Sequence, residues 1–160
     1  MGALYSLSAQ GWTPAALANG GTGANSAYHG YRNAAVTDFT KLCEAFVGGE
    51  ATASSVNRFL LRRVSTNVVT PTNVAPGPMT PGTPAASQQQ YVLAGTGPVI
   101  ASTMALWTAG FNAFGGIIRE AMTPGQEPCS LGTTAPNAEM NLASVSGTGL
   151  VSTGMVIESV

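Results

Sequence analysis

Fifty-five consecutive residues, Val64–Ile118, contain no Asp, Glu, Lys or Arg. The first part of this run, Val64–Gln90, holds half of the chain's ten prolines, at positions 71, 76, 78, 81 and 84. Prolines at this density favour an extended, semi-rigid backbone rather than a helix or a central strand. We therefore expect an extended loop at about 64–90, and because it carries no charge we expect it to lie against a neighbouring protein surface.

The low charge extends to the whole chain. Only 8% of the 160 residues are charged, against roughly 25% in an ordinary domain, and the net charge is −1. Phosphate binding requires a basic surface, so a nucleic-acid partner is not expected. A domain with so little charge dissolves poorly as a free monomer. The composition therefore predicts a protein that is covered by partners, including copies of itself in a homodimer or homotrimer.

Short β-branched or aromatic segments alternate with turn residues along the chain. We predict strands at residues 2–12, 39–49, 54–65, 89–95, 98–108, 111–120, 138–146 and 149–159. This spacing is typical of an antiparallel sandwich. The fold prediction is one all-β domain over residues 1–160, a jelly-roll-like β-sandwich with long Gly/Pro-rich loops at about 13–35 and 64–90. Within the first loop, Tyr28 and Tyr31 are candidate aromatic anchors.

The segments 39–49 and 54–65 look like a hairpin closed by the sequence GGEATA. Alternation in the second segment places Phe59 and Leu61 on one face and Arg58 and Arg62 on the other. Two interpretations of these arginines stay open. They form a solvated outer face that pairs with Glu44 or Glu50 across the hairpin, or they contact an acidic partner surface, since guanidinium groups bind carboxylates well.

The sequence offers little for catalysis or metal binding. His29 is the only histidine, no G-x-S-x-G elbow occurs, and the seven acidic residues are dispersed. Cys43 and Cys129 lie far apart without C-x-x-C spacing, so we expect free thiols and no metal site, although a disulfide stays possible. We expect no enzyme activity and no cofactor. No signal peptide and no membrane-spanning run of 18 apolar residues is expected either.

Several stretches carry a resemblance to a known group. The sequence SSVNRFLLRRVST followed by PGTPAAS, and later FGGIIREAMTPGQEP and SVSGTGLVSTGMVIES, resembles small virion proteins of tailed bacteriophages. Where these proteins often have an acidic residue before Pro-Gly, this chain has Thr80. The resemblance implies a capsid decoration or cement protein: an all-β domain bound to the major capsid protein lattice, on the outer surface of the virion, and made in the host cytoplasm.

The resemblance and the composition together imply a structural role without catalytic residues. The candidate partner contacts are Arg58, Arg62, Pro71, Pro76, Pro78, Pro81, Pro84, Tyr28 and Tyr31. One alternative is another phage virion component, such as a head-fibre base, a tail protein or an adaptor. A second alternative is a carbohydrate- or receptor-binding sandwich, in which Trp12, Trp107 and the two tyrosines would stack on a ligand.

Overall fold

The computed structural model describes residues 2–14, 28–63, 75–93, 105–134 and 136–160. These residues form strands and turns without a helix. The strands are β1 (Ala3–Trp12), β2 (Tyr28–Arg32), β3 (Phe39–Gly49), β4 (Val56–Arg63), β5 (Gly77–Pro78), β6 (Gln89–Leu93), β7 (Ala105–Asn112), β8 (Ile117–Ala121), β9 (Cys129–Leu131), β10 (Glu139–Ser146) and β11 (Val151–Ser159).

The strands form two antiparallel sheets. The first sheet has the order β5-β1-β11-β3-β8, with β9 also paired to β3, and the second has the order β6-β2-β10-β4-β7. Four of the pairings follow one rule: β1 pairs β11, β2 pairs β10, β3 pairs β8 and β4 pairs β7. In this arrangement the first strand meets the last and the second meets the last but one. The chain changes sheet at each step from β1 to β6, again from β7 to β8, and again from β9 to β11. This is the strand pairing of a jelly roll, so the predicted fold class is confirmed.

The predicted hairpin is wrong. β3 and β4 follow each other in the chain but lie in different sheets, so the turn between them crosses the sandwich instead of closing a ladder. Sequence alternation reports which face of a strand is buried, but it does not report which strand is its neighbour.

Other boundaries also differ from the prediction. The predicted loop at 13–35 contains strand β2, which we did not expect in a segment rich in Gly and Tyr, and its residues 15–27 lie outside the described part. The predicted strand 111–120 is interrupted by a turn at 113–116 that joins the end of β7 to β8.

The core fills the space between the sheets. Along β11, Val151, Thr153, Met155 and Ile157 share the inner face and are buried, as their alternation predicted. Phe59 of β4 meets the ring of Trp12 edge to face across the core, with ring centroids 5.9 Å apart. The inner faces together contribute one continuous cluster: Tyr5, Leu7, Ala9, Trp12, Tyr31, Leu42, Ala45, Val47, Phe59, Leu61, Ala113, Met140, Leu142, Val151, Met155 and Ile157.

Gly30 occupies a crowded position in the middle of the second sheet. A Cβ atom there would lie 2.5 Å from the Met140 carbonyl oxygen and 2.8 Å from the Tyr91 hydroxyl. Gly48 in β3 is a contrasting strand glycine, because a Cβ atom there would meet nothing within 4 Å. The two glycines therefore separate the effect of crowding from the effect of the glycine backbone.

We expect Gly30→Ala to lower the free energy of unfolding by about 2–3 kcal/mol, because backbone of the neighbouring strand must move. Gly48→Ala should change it by less than about 1 kcal/mol. Urea unfolding of the two variants beside the parent chain measures both values. Equal effects would show that β2 is not packed as described.

Candidate functional site

The described part of the proline-rich segment is attached to its own sandwich. β5 pairs with β1, so that Gly77 lies opposite Ser6 and Pro78 opposite Tyr5. Beyond the pair, the Tyr5 hydroxyl donates a hydrogen bond to the Pro84 carbonyl oxygen at 3.1 Å. The segment therefore forms the edge of the first sheet instead of projecting from it.

A tight turn lies at the tip of this segment. The Thr83 N–H donates to the Thr80 carbonyl oxygen at 3.2 Å, with Pro81 and Gly82 between them. Gly82 has a φ of 83°. Proline in the second position and a left-handed glycine in the third are the signature of a type II turn. The turn conformation is therefore encoded locally and is present before any partner binds.

A second set of hydrogen bonds holds the end of the segment before it enters β6. The Ser87 hydroxyl donates to Asp38 Oδ1 at 2.9 Å. The Gln88 amide donates to Thr40 Oγ1 at 2.9 Å and to Ser159 Oγ at 3.2 Å, both on the first sheet. Because the next residues pair with β2 in the second sheet, these bonds fix the point at which the chain crosses between sheets.

The exposed side of the segment forms what we call the loop surface: Leu4, Pro78, Met79, Pro81 and Pro84. Pro78, Pro81 and Pro84 are exposed, Met79 is 53% exposed and Leu4 is 39% exposed. Leu4 and Met79 are neighbours, since the Met79 N–H donates to the Leu4 carbonyl oxygen at 2.9 Å. The loop surface is apolar, uncharged and held in place by the sandwich.

The other two candidate prolines do not contribute to the loop surface. Pro76 is buried, so a direct partner contact by this side chain does not fit the fold. Pro71 lies outside the described residues.

The two candidate arginines of β4 have different environments. Arg58 is exposed, whereas Arg62 is completely buried. The partner contact expected of Arg62 is therefore wrong in this fold. The pairing of these arginines with Glu44 or Glu50 is also wrong, because β3 lies in the other sheet, Glu44 binds Arg119 and Glu50 accepts a hydrogen bond from Ser152.

Arg62 takes part in a hydrogen-bonded chain on the face of the second sheet that points away from the core. Its Nε donates to Asn141 Oδ1 at 2.7 Å, Asn141 Nδ2 donates to the Tyr91 hydroxyl at 3.2 Å, and that hydroxyl donates to Glu139 Oε1 at 2.6 Å. All four residues are buried. The chain runs from a cation to an anion, an arrangement in which each hydrogen bond polarises the next. Tyr91 reaches across Gly30 to join it, which explains why a side chain does not fit there.

Arg58 and Arg62 lie on the same face of the same strand and form a matched pair for mutation. We expect Arg62→Ala to lower the free energy of unfolding by about 3 kcal/mol or more, because the buried Asn141 carbonyl loses a charged donor and a large buried side chain is removed. Arg58→Ala should change it by about 0.5 kcal/mol or less. Chemical denaturation compares them, and a small loss in both would contradict the buried network.

The tyrosines of β2 also depart from expectation. Tyr31 is fully buried, and its hydroxyl accepts a hydrogen bond from Ser130 Oγ at 3.1 Å. Burial raises its pKa above the ordinary range. Tyr31 is therefore a core residue and not a partner contact. The backbone of Tyr28 pairs with Ala143 in the same sheet, and its side chain lies outside the described structure.

His29 is buried between the sheets, as a packing residue. Its Nε2 lies 3.2 Å from Gln90 Nε2, and the Gln90 amide also donates to the Ser8 carbonyl oxygen at 2.6 Å. An amide nitrogen only donates, so His29 Nε2 must accept and Nδ1 must carry the proton. Nδ1 then donates to Thr153 Oγ1 at 3.0 Å, which also accepts from Trp12 Nε1 at 3.0 Å. The geometry requires a neutral imidazole, and burial lowers the pKa of His29 to about 4.

This lowered pKa predicts a pH dependence of stability. Between about pH 6.5 and pH 4, His29 is protonated in the unfolded chain but neutral in the folded chain. The contribution of His29 to the free energy of unfolding is therefore complete above the unfolded pKa and decreases as the pH falls towards the folded pKa. The full loss is about 3 kcal/mol. His29→Gln should remove this component. Urea unfolding of parent and variant from about pH 7 to pH 4 tests it, and identical pH slopes for the two chains would contradict it.

The two cysteines and the exposed ion pair of the first sheet form no reactive site. Cys43 and Cys129 are free thiols and half-buried, and burial raises the pKa of Cys43. Arg119 and Glu44 form a two-pronged ion pair on the exposed face of the first sheet, with nitrogen–oxygen distances of 2.6 and 2.8 Å. Among the described residues, no three His, Cys, Asp or Glu side chains converge as metal ligands. Within the same residues, no helix has the length and apolarity needed to cross a membrane.

No family model and no curated protein matches the chain. A family 11 carbohydrate-binding module from Clostridium thermocellum is similar at 9% identity, over 98% of this chain and 88% of that chain, with a TM-score of 0.27. A chain of broad bean stain virus is similar at 7% identity, over 100% and 89%, with a TM-score of 0.28. A chain of infectious bursal disease virus, Gx strain, is similar at 12% identity and a TM-score of 0.22; the match covers 98% of this chain and 40% of that one. These similarities concern the fold alone.

Proposed function

We propose that this chain is a structural virion protein that decorates a bacteriophage capsid and cements it by bridging major capsid protein subunits. The single observation that carries the proposal is the loop surface, an exposed apolar patch of Leu4, Pro78, Met79, Pro81 and Pro84 without charge. Contiguous exposed apolar patches often mark protein interaction sites, and this one suits a protein that binds a flat protein lattice.

The attachment of the loop surface supports binding physically. Its turn and its contacts with β1 already exist in the free chain, so binding orders few further residues. Loop ordering is one of the main costs of association, and a preformed surface avoids most of it. Such a surface can therefore bind a neighbouring protein through modest contacts, as expected for a protein added to the outside of an assembled shell after synthesis in the host cytoplasm.

The fold is compatible with this role. Jelly rolls serve in viral shells and in lectins, so the architecture leaves both a virion role and a sugar-binding role open by analogy. Most of the aromatic side chains that were expected to stack on a sugar are not accessible, because Trp12 and Tyr31 are buried and Trp107 is half-buried. We therefore favour the virion role, with a head-fibre base, tail or adaptor protein as the alternative within it.

The proposal predicts that a charge on the loop surface weakens capsid binding. We expect the purified chain to co-sediment with expanded heads of the phage that encodes it, and Met79→Glu to weaken this binding at least about tenfold, since desolvating one buried carboxylate exceeds 1.4 kcal/mol. Ile117→Glu is the matched control, because Ile117 is 71% exposed on the opposite edge of the first sheet.

Two outcomes would overturn the capsid role. One is a chain that does not bind heads at any concentration while it binds a defined glycan. The other is equal binding by the Met79→Glu and Ile117→Glu variants, which would leave the loop surface without a function.

A further inference from the structure

Strand β7 is the last strand at one edge of the second sheet in the described part of the chain. Among the described strands, β7 has β4 as a neighbour on one side and no strand on the other. It is eight residues long and contains neither charge nor proline. Thr108 and Gly110 are exposed, and because glycine has no side chain, the exposed surface of Gly110 is backbone. Natural sheets usually protect such edges with charge, proline, bulges or a covering segment. The ladder of β7 has a bulge at Leu106 and is regular from Trp107 to Asn112, so this regular part of the edge is a template for pairing with another chain.

The register shows which backbone groups of β7 point away from β4. Ala113 N–H donates to the Ser55 carbonyl oxygen at 2.8 Å, and Phe111 and Ala109 follow in the same ladder with β4. In an antiparallel ladder the direction of the backbone groups alternates from one residue to the next. Phe111 and Ala109 therefore direct their N–H and C=O groups towards β4, while Thr108 and Gly110 direct theirs outwards.

The sequence of β7 is compatible with itself in the reverse direction. Around Ala109 the order is Trp107, Thr108, Ala109, Gly110, Phe111. If a second β7 runs antiparallel with Ala109 opposite Ala109, then Thr108 faces Gly110 and each such pair exchanges its hydrogen bonds. Trp107 then faces Phe111 of the second copy, a cross-strand aromatic pair of the kind that stabilises sheets. Both aromatic side chains are half-buried in the single chain, so pairing would cover their remaining exposed surface.

We propose that β7 is the self-association site of this protein, and that two copies join through antiparallel β7–β7 pairing centred on Ala109 into one sheet continuous across a two-fold axis. The inference goes beyond the proposed function and rests on β7 alone. A chain that dimerises in this way but ignores phage heads would refute capsid decoration and leave the pairing intact.

A groove lies beside this edge. It has a volume of about 390 Å³ and is lined by Arg58, Phe59, Thr108, Ala109, Gly110 and Val145. The groove lies over Gly110, where a side chain is missing. In the proposed register, Thr108 of the second copy lies opposite Gly110 and enters this space.

A second copy suits this edge better than the other strand edges do. β8 carries Arg119 and Glu120 at its centre, so pairing between two copies of β8 places like charges together. β6 is uncharged but only five residues long. Pairing of β6 with β7 of another copy would be head to tail, so it would produce a ring of several copies or a filament of growing length. Pairing of β7 with itself closes at two copies.

A disulfide tests the register directly. In a chain whose Cys43 and Cys129 are replaced by Ser, Ala109→Cys places a thiol opposite its own copy in a non-hydrogen-bonded pair, where the Cα atoms are about 4.5 Å apart and within disulfide range. We expect mild oxidation to convert the chain to a covalent dimer that dithiothreitol reverses. The control is Thr148→Cys, an exposed position outside β7 that should stay monomeric on denaturing gels. Equal cross-linking of both variants, or none at Ala109→Cys, would overturn the proposal.

Gly110→Pro tests the pairing without a cross-link. The ring would replace an N–H that points away from β4, and a side chain at this position meets Arg58 Cγ only at 3.5 Å, an ordinary contact. Sedimentation equilibrium should show a dimer for the parent chain and a dimer dissociation constant at least about tenfold higher for the variant, since each copy loses a donor to the other. The control is Thr148→Pro, a proline substitution at an exposed position outside the strands.

Thermal melting of Gly110→Pro at a concentration below the dimer dissociation constant shows whether the variant is folded. A folded variant that dimerises as tightly as the parent would refute the pairing. A parent chain that is monomeric at all concentrations, or that grows into filaments, would refute it as well. If Gly110→Pro does not fold, Thr108→Lys replaces it: the exposed lysines of the two copies would repel each other at the same edge, with the same expected loss of dimer.

Discussion

The pairing of β1 with β11 is the constraint on which the rest of the fold depends. It places Ala3 opposite Ser159 and joins the two ends of the chain in one ladder. All the other main pairs are nested within it, from β2 with β10 inwards to β4 with β7. Each pair brings together residues that are far apart in sequence, so loop-closure entropy must be overcome before any ladder forms, and slow folding follows from this topology.

The nested arrangement also explains which parts of the fold could be predicted from the sequence. Alternation in β1, β4 and β11 is local, and it correctly identified the strands and the buried faces with Phe59 and Leu61. The partner of a strand is not a local property, so the hairpin of β3 and β4 was wrong although both strands were right. Strand β2 was missed because its sequence, YHGYR, is typical of a turn. The structure shows why a glycine lies in this strand: the Tyr91 side chain lies over Gly30.

The candidate site was predictable to a smaller extent. Alternation placed Arg58 and Arg62 on one face, and this is correct, but one is exposed and the other lies in a buried chain with Asn141. Sequence alternation predicts that one face of a strand is buried in the core and the other is exposed to solvent. In the second sheet the outer face also buries polar side chains. The described half of the proline-rich segment contains a tight turn and pairs with β1 of the same chain, which the absence of charge could not reveal.

The loop surface and strand β7 lie on opposite flanks of the sandwich. The loop surface adjoins β5 and β1 at one edge of the first sheet, whereas β7 is joined by a four-residue turn to β8 at the other edge. A dimer formed through β7 would therefore carry its two loop surfaces at its far ends, directed away from the two-fold axis. In the proposed assembly, two loop surfaces held apart on one sheet would engage two neighbouring subunits at once, and linked sites bind far more tightly than either does alone. The bridging of neighbouring subunits would then follow from the position of β7 at the edge of the second sheet. Weak contacts at each end of the dimer would be sufficient for a stable attachment.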